Sequence, residues 1–206
     1  MAQTERRIIG SRIEVREDNR QQQPIKIAGH AAVFNTEATI GGFFREQIAP
    51  GAFATAIKED DVRALFNHNA DLVLGRTTSG TLTLSEDETG LRYEVDPPDT
   101  QWARDLMVSV KRGDISQSSF GFQVVREEWT TPENRAELPL RTILEARLFD
   151  VSPVTYPAYE ETSAEARSKA EALATAAAVL EGAEDTAALA ATIIRQKRQA
   201  IVEAML

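Results

Sequence analysis

The sequence predicts an α+β protein that is mainly β, with an alanine-rich helical tail after about residue 160. Before that point, short runs of alternating β-branched residues are separated by turn-like segments, which is typical of strands. Two helical stretches interrupt the strands, and this combination favours a β-barrel surrounded by helices. A chain of 206 residues is long enough for one such domain with an appendage.

The predicted strands share alternating apolar or β-branched residues, and they lie at 12–16, 25–34, 62–66, 81–84, 91–95, 115–127 and 143–155. A short, acidic, turn-like run at 85–90 lies between the predicted strands at 81–84 and 91–95. It therefore predicts that the strands at 81–84 and 91–95 form a hairpin.

Each predicted helix has a recognisable start. The first begins at Pro50 and Gly51 and continues through residue 57. The second follows the prolines at 97–98, with Asp99 or Thr100 as its N-cap, and it ends at Gly113. Its apolar positions recur at helical spacing, so they are expected in the core: Trp102, Leu106 and Val110.

The tail favours two helices, at 162–180 and 186–206, because it is rich in alanine and nearly free of aromatic residues. A break at 181–185 separates them, and a weak apolar stripe on the second helix leaves room for packing on the barrel or on a partner. A helical arm is the favoured interpretation, and a disordered tail is the alternative.

Composition excludes several classes of function. Cysteine is absent, so the chain has no disulfides, thiol nucleophiles or thiolate metal sites. The net charge of −9 argues against a nucleic-acid surface, and pairs such as Arg6 and Arg7 are interpreted as ordinary solvated charge. No apolar run is long enough for a membrane span or a signal peptide, which predicts a soluble intracellular protein.

Metal and phosphate sites are also disfavoured. The two histidines, His30 and His68, are too few for a multi-histidine metal site. No calcium-loop spacing of carboxylates and no glycine-rich phosphate loop occurs. Hydroxyl, imidazole and carboxylate groups remain, and these are the parts of an activated-serine site that needs no cofactor.

His68 is the better candidate for a general base. Alternation along 62–68 places it on the face of Val62, Ala64 and Phe66, at the point where the strand gives way to polar residues. A structural histidine would suit the same place. His30 lies among small residues and is expected to pack rather than react.

The serines at 116–119 are separated by the same argument. Ser116 and Ser118 share a face with Phe120, so Ser118 is expected in the core. Ser119 lies on the opposite face with Gly121, where the missing side chain is expected to leave open space beside its hydroxyl. Ser119 is therefore the predicted nucleophile.

Asp150 is the predicted third member of the site, and Glu145 and His30 are the alternatives. In a strand over 143–154, Asp150 is a lone carboxylate on an otherwise apolar face, whereas Glu145 and Arg147 share the other face as a solvated pair. A buried carboxylate needs a partner, such as the imidazole of His68 or backbone amides at a turn. The first partner makes Asp150 catalytic, and the second makes it structural.

Five motifs in this order resemble a known family: GHAAVFN at 29–35, IAPGAF at 48–53, LFNHN at 65–69, SSFGF at 118–122 and LFDVSPVTYPAY at 148–159. They resemble the prohead proteases of tailed phages, which are related to the herpesvirus assemblins. The likeness covers about residues 25–159. Two departures stand out, because Ser118 replaces a residue that is often apolar and Asp150 stands where glutamate is common.

The resemblance implies a serine endopeptidase in which His68 is the base and Ser119 the nucleophile. It implies an assemblin-like β-barrel surrounded by helices. The change in composition near residue 160 predicts a protease domain at 1–160 and a helical tail at 161–206, for which a scaffold-like segment is one interpretation. Expected substrates are scaffold segments or the capsid protein inside the immature prohead in the host cytoplasm, and the protease itself. The alternative is a non-catalytic assembly or scaffolding protein on the same fold.

Overall fold

The computed structural model of the protein describes residues 4–9, 13–16, 26–132 and 137–156. The elements within those ranges are, in chain order, β1 Glu5–Ile9, β2 Glu14–Arg16, β3 Lys26–Val33, β4 Ala38–Ile40, β5 Phe44–Ile48, α1 Ala56–Glu59, β6 Arg63–Phe66, β7 Asn69–Arg76, β8 Leu82–Glu86, β9 Gly90–Val95, α2 Gln101–Arg112, β10 Gln117–Thr130 and β11 Leu140–Val154.

The strands form two sheets. The larger sheet has the order β1-β10-β11-β5-β4, and β6, which pairs with β7, joins it on β11. Its centre is the long antiparallel ladder between β10 and β11. The smaller sheet is antiparallel and has the order β2-β3-β9-β8.

The predicted class, α+β and mainly β, is confirmed, but the predicted closed barrel is not found in the described part of the chain. A barrel needs every strand to pair on both sides. Among the described residues, β4, β7 and β8 each pair on one side only, so the ladders end there.

Apolar side chains from both sheets share one core, which supports the faces that carry the polar groups described below. Phe120 and Phe122 of β10 are fully buried together with Leu91 and Tyr93 of β9. The ring of Phe53 meets that of Phe120 edge-on, with centroids 5.7 Å apart. This packing fixes one face of β10 against the smaller sheet.

Two predicted elements are found with nearly the predicted bounds. Strands β8 and β9 form the expected antiparallel hairpin. Helix α2 begins after Thr100 and ends at Gly113, whose φ of 82° is left-handed and suits glycine. Leu106 and Val110 are buried on its inner face, as their spacing predicts.

The first predicted helix is mostly wrong. Residues 51–55 form turns, and α1 is a single helical turn at Ala56–Glu59. Residues 50–55 still bury Ala52 and Phe53 in the core, so the apolar pattern reflects packing rather than helix. Strands β1, β4, β5 and β7 were not predicted, because their sequences are short or rich in charged and polar residues.

The predicted tail helices at 162–180 and 186–206, and the predicted domain boundary at 160, lie outside the described residues. Arg12, at the start of one predicted strand, also lies outside them. Within the described ranges, no helix is long and apolar enough to cross a membrane.

Candidate active site

The ladder between β10 and β11 places two pairs of residues side by side. Ser119 lies opposite Ser152, and Gly121 lies opposite Asp150. Residues directly opposite in a ladder point to the same face, and so do alternate residues along a strand. Ser119, Ser152 and Asp150 therefore share one face, on which Gly121 presents no side chain.

His68 reaches this face from a tight turn rather than from a strand. Asn67 and His68 have φ values of 54° and 55°, and Phe66 pairs with Asn69 on either side of them. Two left-handed residues between paired strands are the geometry of a type I′ hairpin turn, where asparagine is common. The predicted alternation through residue 68 is therefore wrong, because β6 ends at Phe66.

The turn is attached to the end of β11. The backbone N–H of Asn67 donates to the Pro153 carbonyl at 3.0 Å. Its side-chain amide donates to the Thr155 hydroxyl at 3.1 Å, and its Oδ1 accepts from the Thr155 N–H at 2.8 Å. Strand β6 also pairs in parallel with β11 at Asp150. These contacts fix His68 relative to Asp150.

The three predicted site residues lie in consecutive contact. His68 Nδ1 is 2.5 Å from Asp150 Oδ1, and His68 Nε2 is 2.7 Å from Ser119 Oγ. A neutral imidazole that donates its Nδ1 proton to Asp150 leaves Nε2 free to accept the Ser119 proton. Only 9% of the His68 and Asp150 side-chain surface is exposed, so these contacts lie in a largely water-excluded place.

The neighbouring serines have other environments. Ser118 is buried, as predicted, and its hydroxyl lies 2.8 Å from that of Tyr93. Burial raises the pKa of the Tyr93 phenol, and the hydrogen bond between the Tyr93 and Ser118 hydroxyls offsets only part of this rise. Ser116 is exposed and precedes β10. Of the three serines at 116–119, Ser119 alone has the imidazole contact.

The expected open space beside Ser119 is not present. Ser119 is fully buried, and β1 pairs along β10 so that Ile8 lies opposite it in the ladder. The Ser119 hydroxyl is within 2.9 Å of the Arg7 carbonyl oxygen, to which it can donate. A cavity beside Gly121 is also excluded, because a Cβ atom there would lie 2.4 Å from Asp150 Oδ2.

A buried group of charges, which we call the Arg7 cluster (Glu5, Arg7, Glu46, Glu127 and Arg141), attaches β1 to the sheet. Arg7 Nε donates to Glu46 at 2.5 Å, and Arg7 Nη2 donates to Glu5 at 2.6 Å. Arg141 donates to Glu46 at 2.9 Å and also contacts Glu5 and Glu127. The interpretation of Arg7 as solvated charge is therefore wrong, since 12% of its side chain is exposed.

The cluster shifts the ionisation of its members. Burial alone would raise the pKa of Glu46, but Arg7 and Arg141 outweigh it and hold that pKa below its ordinary value. Burial alone would lower the pKa of Arg7, but Glu46 and Glu5 outweigh it and raise that pKa. Each charge thus depends on its partners.

The other two candidates for the third position lie elsewhere. His30 Nε2 contacts the Asp87 carboxylate at 2.8 Å on the smaller sheet, and 23% of its side chain is exposed. Its predicted role in packing rather than in the reaction stays a prediction. Glu145 lies 3.8 Å from Arg126, and Arg147 pairs with Asp60. The predicted Glu145–Arg147 pair is therefore not formed, although both residues do lie in exposed or partly exposed surroundings.

Three contacts of this site were missed by the sequence reasoning. Ser152 donates to Asp150 Oδ1 at 2.8 Å, and its position on the face of Asp150 follows from the same alternation that singled out the carboxylate. The roles of Asn67 and of the Arg7 carbonyl depend on pairing between distant segments, which no local pattern shows. Among the described residues, no group of three or more carboxylate or imidazole side chains could hold a metal ion.

A hydroxyl, an imidazole and a carboxylate in consecutive hydrogen bonds are the arrangement by which serine hydrolases activate a nucleophile. The chain belongs to the Caudovirus prohead serine protease family, whose sequence profile matches residues 11–176. It is 31% identical over 138 residues to a protein named prohead protease from Enterobacteria phage HK97. That match covers 65% of this chain and 56% of the HK97 protein. No solved structure matches the chain significantly.

Proposed function

We propose that the protein is a serine endopeptidase of phage prohead maturation, with Ser119 as nucleophile, His68 as general base and Asp150 as the group that orients His68. The observation that carries the proposal is the unbroken chain of contacts from Asp150 through His68 to Ser119. The family to which the chain belongs supports the same reaction.

In the proposed reaction, the Ser119 Oγ–H bond breaks as its proton passes to His68 Nε2, and Oγ bonds to the carbonyl carbon of the substrate. The Nε2 proton then passes to the leaving amine as the peptide C–N bond breaks, which leaves an acyl-enzyme. A water molecule then attacks the acyl carbon and gives a proton to His68 Nε2. The bond between that carbon and Ser119 Oγ breaks as the proton passes from His68 to Oγ. Throughout, Asp150 accepts a hydrogen bond from the Nδ1–H group of His68 and stabilises the imidazolium.

The position of β1 adds a condition to this reaction. The Ser119 hydroxyl has one proton and two acceptors within reach, His68 Nε2 at 2.7 Å and the Arg7 carbonyl at 2.9 Å. The attack requires the proton to point to His68. It also requires a carbonyl carbon within about 3 Å of Oγ, so β1 must move away from buried Ser119 before a polypeptide can bind.

The proposed substrates are scaffold or capsid-protein segments inside the immature prohead, together with the protease itself. The assemblin-like architecture and the scaffold-like role of residues 161–206 are part of the same proposal. No cofactor takes part in it, because hydroxyl, imidazole and carboxylate groups suffice for acyl transfer.

The experiment is co-expression with the capsid protein of the same phage, followed by mass measurement of every product. We expect defined cleavage products with the wild type and none with Ser119→Ala, since losing a nucleophile costs about four to six orders of magnitude in turnover. Ser118→Ala is the matched control, because it removes a neighbouring buried hydroxyl and should keep cleaving. Full-length capsid protein with every variant would favour the non-catalytic assembly protein instead.

A further inference from the structure

The Asp150 carboxylate has a second donor besides His68. The Ser152 hydroxyl donates to Oδ1 at 2.8 Å, and this is the same oxygen that contacts His68 Nδ1. Ser152 is fully buried, and 7% of Asp150 is exposed. The hydroxyl has one proton to donate, and Asp150 accepts it.

We propose that Ser152 is a positioning residue that fixes the Asp150 carboxylate and, through it, the imidazole of His68. This inference rests on the proposed function, because it gives Ser152 a role only if His68 and Ser119 act together. The hydrogen bond from the Ser152 hydroxyl goes to Asp150, so in this proposal Ser152 acts through Asp150.

The geometry explains why a second donor is needed. A carboxylate rotates about its Cβ–Cγ bond at little cost, and that rotation would carry Oδ1 away from Nδ1. Ser152 lies two residues further along β11 on the same face, and the ladder pairs it with Ser119 on β10. The paired strands therefore fix the backbone of Ser152, and its hydroxyl holds Oδ1 toward the imidazole.

The carboxylate is also confined on its other side. Its Oδ2 atom fills the space beside Gly121, where even a methyl group would lie 2.4 Å away. Gly121 thus admits the carboxylate, and Ser152 sets its rotation. The two residues complement each other, because Gly121 leaves room for Oδ2 and Ser152 donates to Oδ1.

The test is the rate at which a fluorophosphonate probe labels Ser119, followed by intact mass and peptide mapping at several probe concentrations. A rate proportional to probe concentration shows that chemistry, and not the opening of β1, limits the labelling. We expect Ser152→Ala to slow labelling about tenfold to a hundredfold, the effect of losing one hydrogen bond to a charged group. Ser152→Cys, which keeps the volume but has a weak donor, should give a smaller loss.

A double-mutant cycle separates positioning from mere structure. If Ser152 acts through Asp150, then adding Ser152→Ala to Asp150→Ala should change the labelling rate by less than about twofold. Ser118→Ala is the matched control, and its small effect should be the same in both backgrounds. Equal slowing by Ser152→Ala with and without Asp150, or no slowing at all, would overturn the inference.

The failure of the underlying proposal gives a different result. A wild-type protein that is never labelled at Ser119 and cleaves nothing would refute the protease function, and the role of Ser152 with it. Labelled wild type with an unaffected Ser152→Ala variant refutes the role of Ser152 alone. If Ser152→Ala does not fold, the Ser152→Cys comparison in the two Asp150 backgrounds decides the question.

Discussion

The Oδ2 atom of Asp150 occupies the space that a side chain on Gly121 would fill, since a Cβ atom on residue 121 would lie 2.4 Å from it. The two residues are directly opposite in the β10–β11 ladder. The carboxylate can reach His68 in its observed position only because residue 121 is a glycine.

Gly121→Ala is therefore expected to displace the Asp150 carboxylate and to lower turnover about a hundredfold, the effect of an ångström-scale misplacement in an active site. The measurement is cleavage of the capsid protein alongside a thermal melt. Gly75→Ala is the matched control, because its Cβ would meet Val95 and Thr81 away from the site. Gly75→Ala should lower the stability of the protein and leave its turnover unchanged. Unchanged turnover in Gly121→Ala would contradict the role given to Gly121.

The turn that carries His68 gives a second prediction. Asn67→Gly keeps the left-handed backbone but removes both side-chain bonds to Thr155. We expect turnover to fall about tenfold as His68 loses its fixed position. Asn67→Ala should lose a further 1–2 kcal/mol of stability, because alanine is strained at a φ of 54°.

The control for this turn is Asn69→Ala. Asn69 accepts one bond from the Asp71 N–H at the exposed start of β7, so its loss should change neither turnover nor stability by much. If Asn67→Gly matched the wild type in turnover, the attachment to β11 would have no part in orienting His68.

The features that the sequence predicted best are those that follow from the alternation of side chains along a strand. Ser118 in the core, Ser119 on the other face and Asp150 as a buried carboxylate all follow from alternation in β10 and β11, and the structure brings Ser119 and Asp150 to His68. The period failed at His68, because two left-handed residues interrupt it. A tight turn of this kind changes the direction of the side chain without leaving a periodic signal.

Long-range pairing could not be predicted. The burial of Arg7 depends on Glu46 and Arg141, which lie far away in the sequence, so the pattern at 5–9 is that of a solvated segment. Gly121 was interpreted as open space for the same reason, since the residue that fills that space lies on β11. Both errors arise because the side chain that contacts each residue lies far away in the sequence. A local sequence pattern does not show which distant side chain that is.

The carboxylate itself can be tested against its nearest rival. Asp150→Asn keeps the shape of the side chain but can present an N–H to His68, which favours the wrong tautomer and should cost up to about 10⁴ in turnover. Glu145→Gln should be nearly silent, because Glu145 and Arg126 are 3.8 Å apart and both partly exposed. The rates of probe labelling at Ser119 check both, and a silent Asp150→Asn would assign that residue to the structural role.

The Arg7 cluster predicts how stability depends on pH. The pKa of Glu46 is lower in the folded protein than its ordinary value of 4.5, because Arg7 and Arg141 outweigh the effect of burial. A group with a lowered folded pKa adds stability above its unfolded pKa, and this contribution is lost as the pH falls through the folded value. We therefore expect the free energy of unfolding to decrease below about pH 4.5.

Glu46→Gln isolates this contribution. At pH 7 the variant should be less stable by about 3–5 kcal/mol, since it leaves buried arginine charge without one partner. The difference from the wild type should narrow as the pH falls below 4.5, because Glu46 then takes up a proton in the unfolded wild type while the folded protein still holds it charged. Glu37→Gln is the control, because its pair with Arg45 is exposed and should contribute less than about 1 kcal/mol at any pH. Urea unfolding at pH 7, 5 and 3.5 measures all three proteins, and a constant gap between wild type and Glu46→Gln would show that Glu46 does not carry the acid sensitivity.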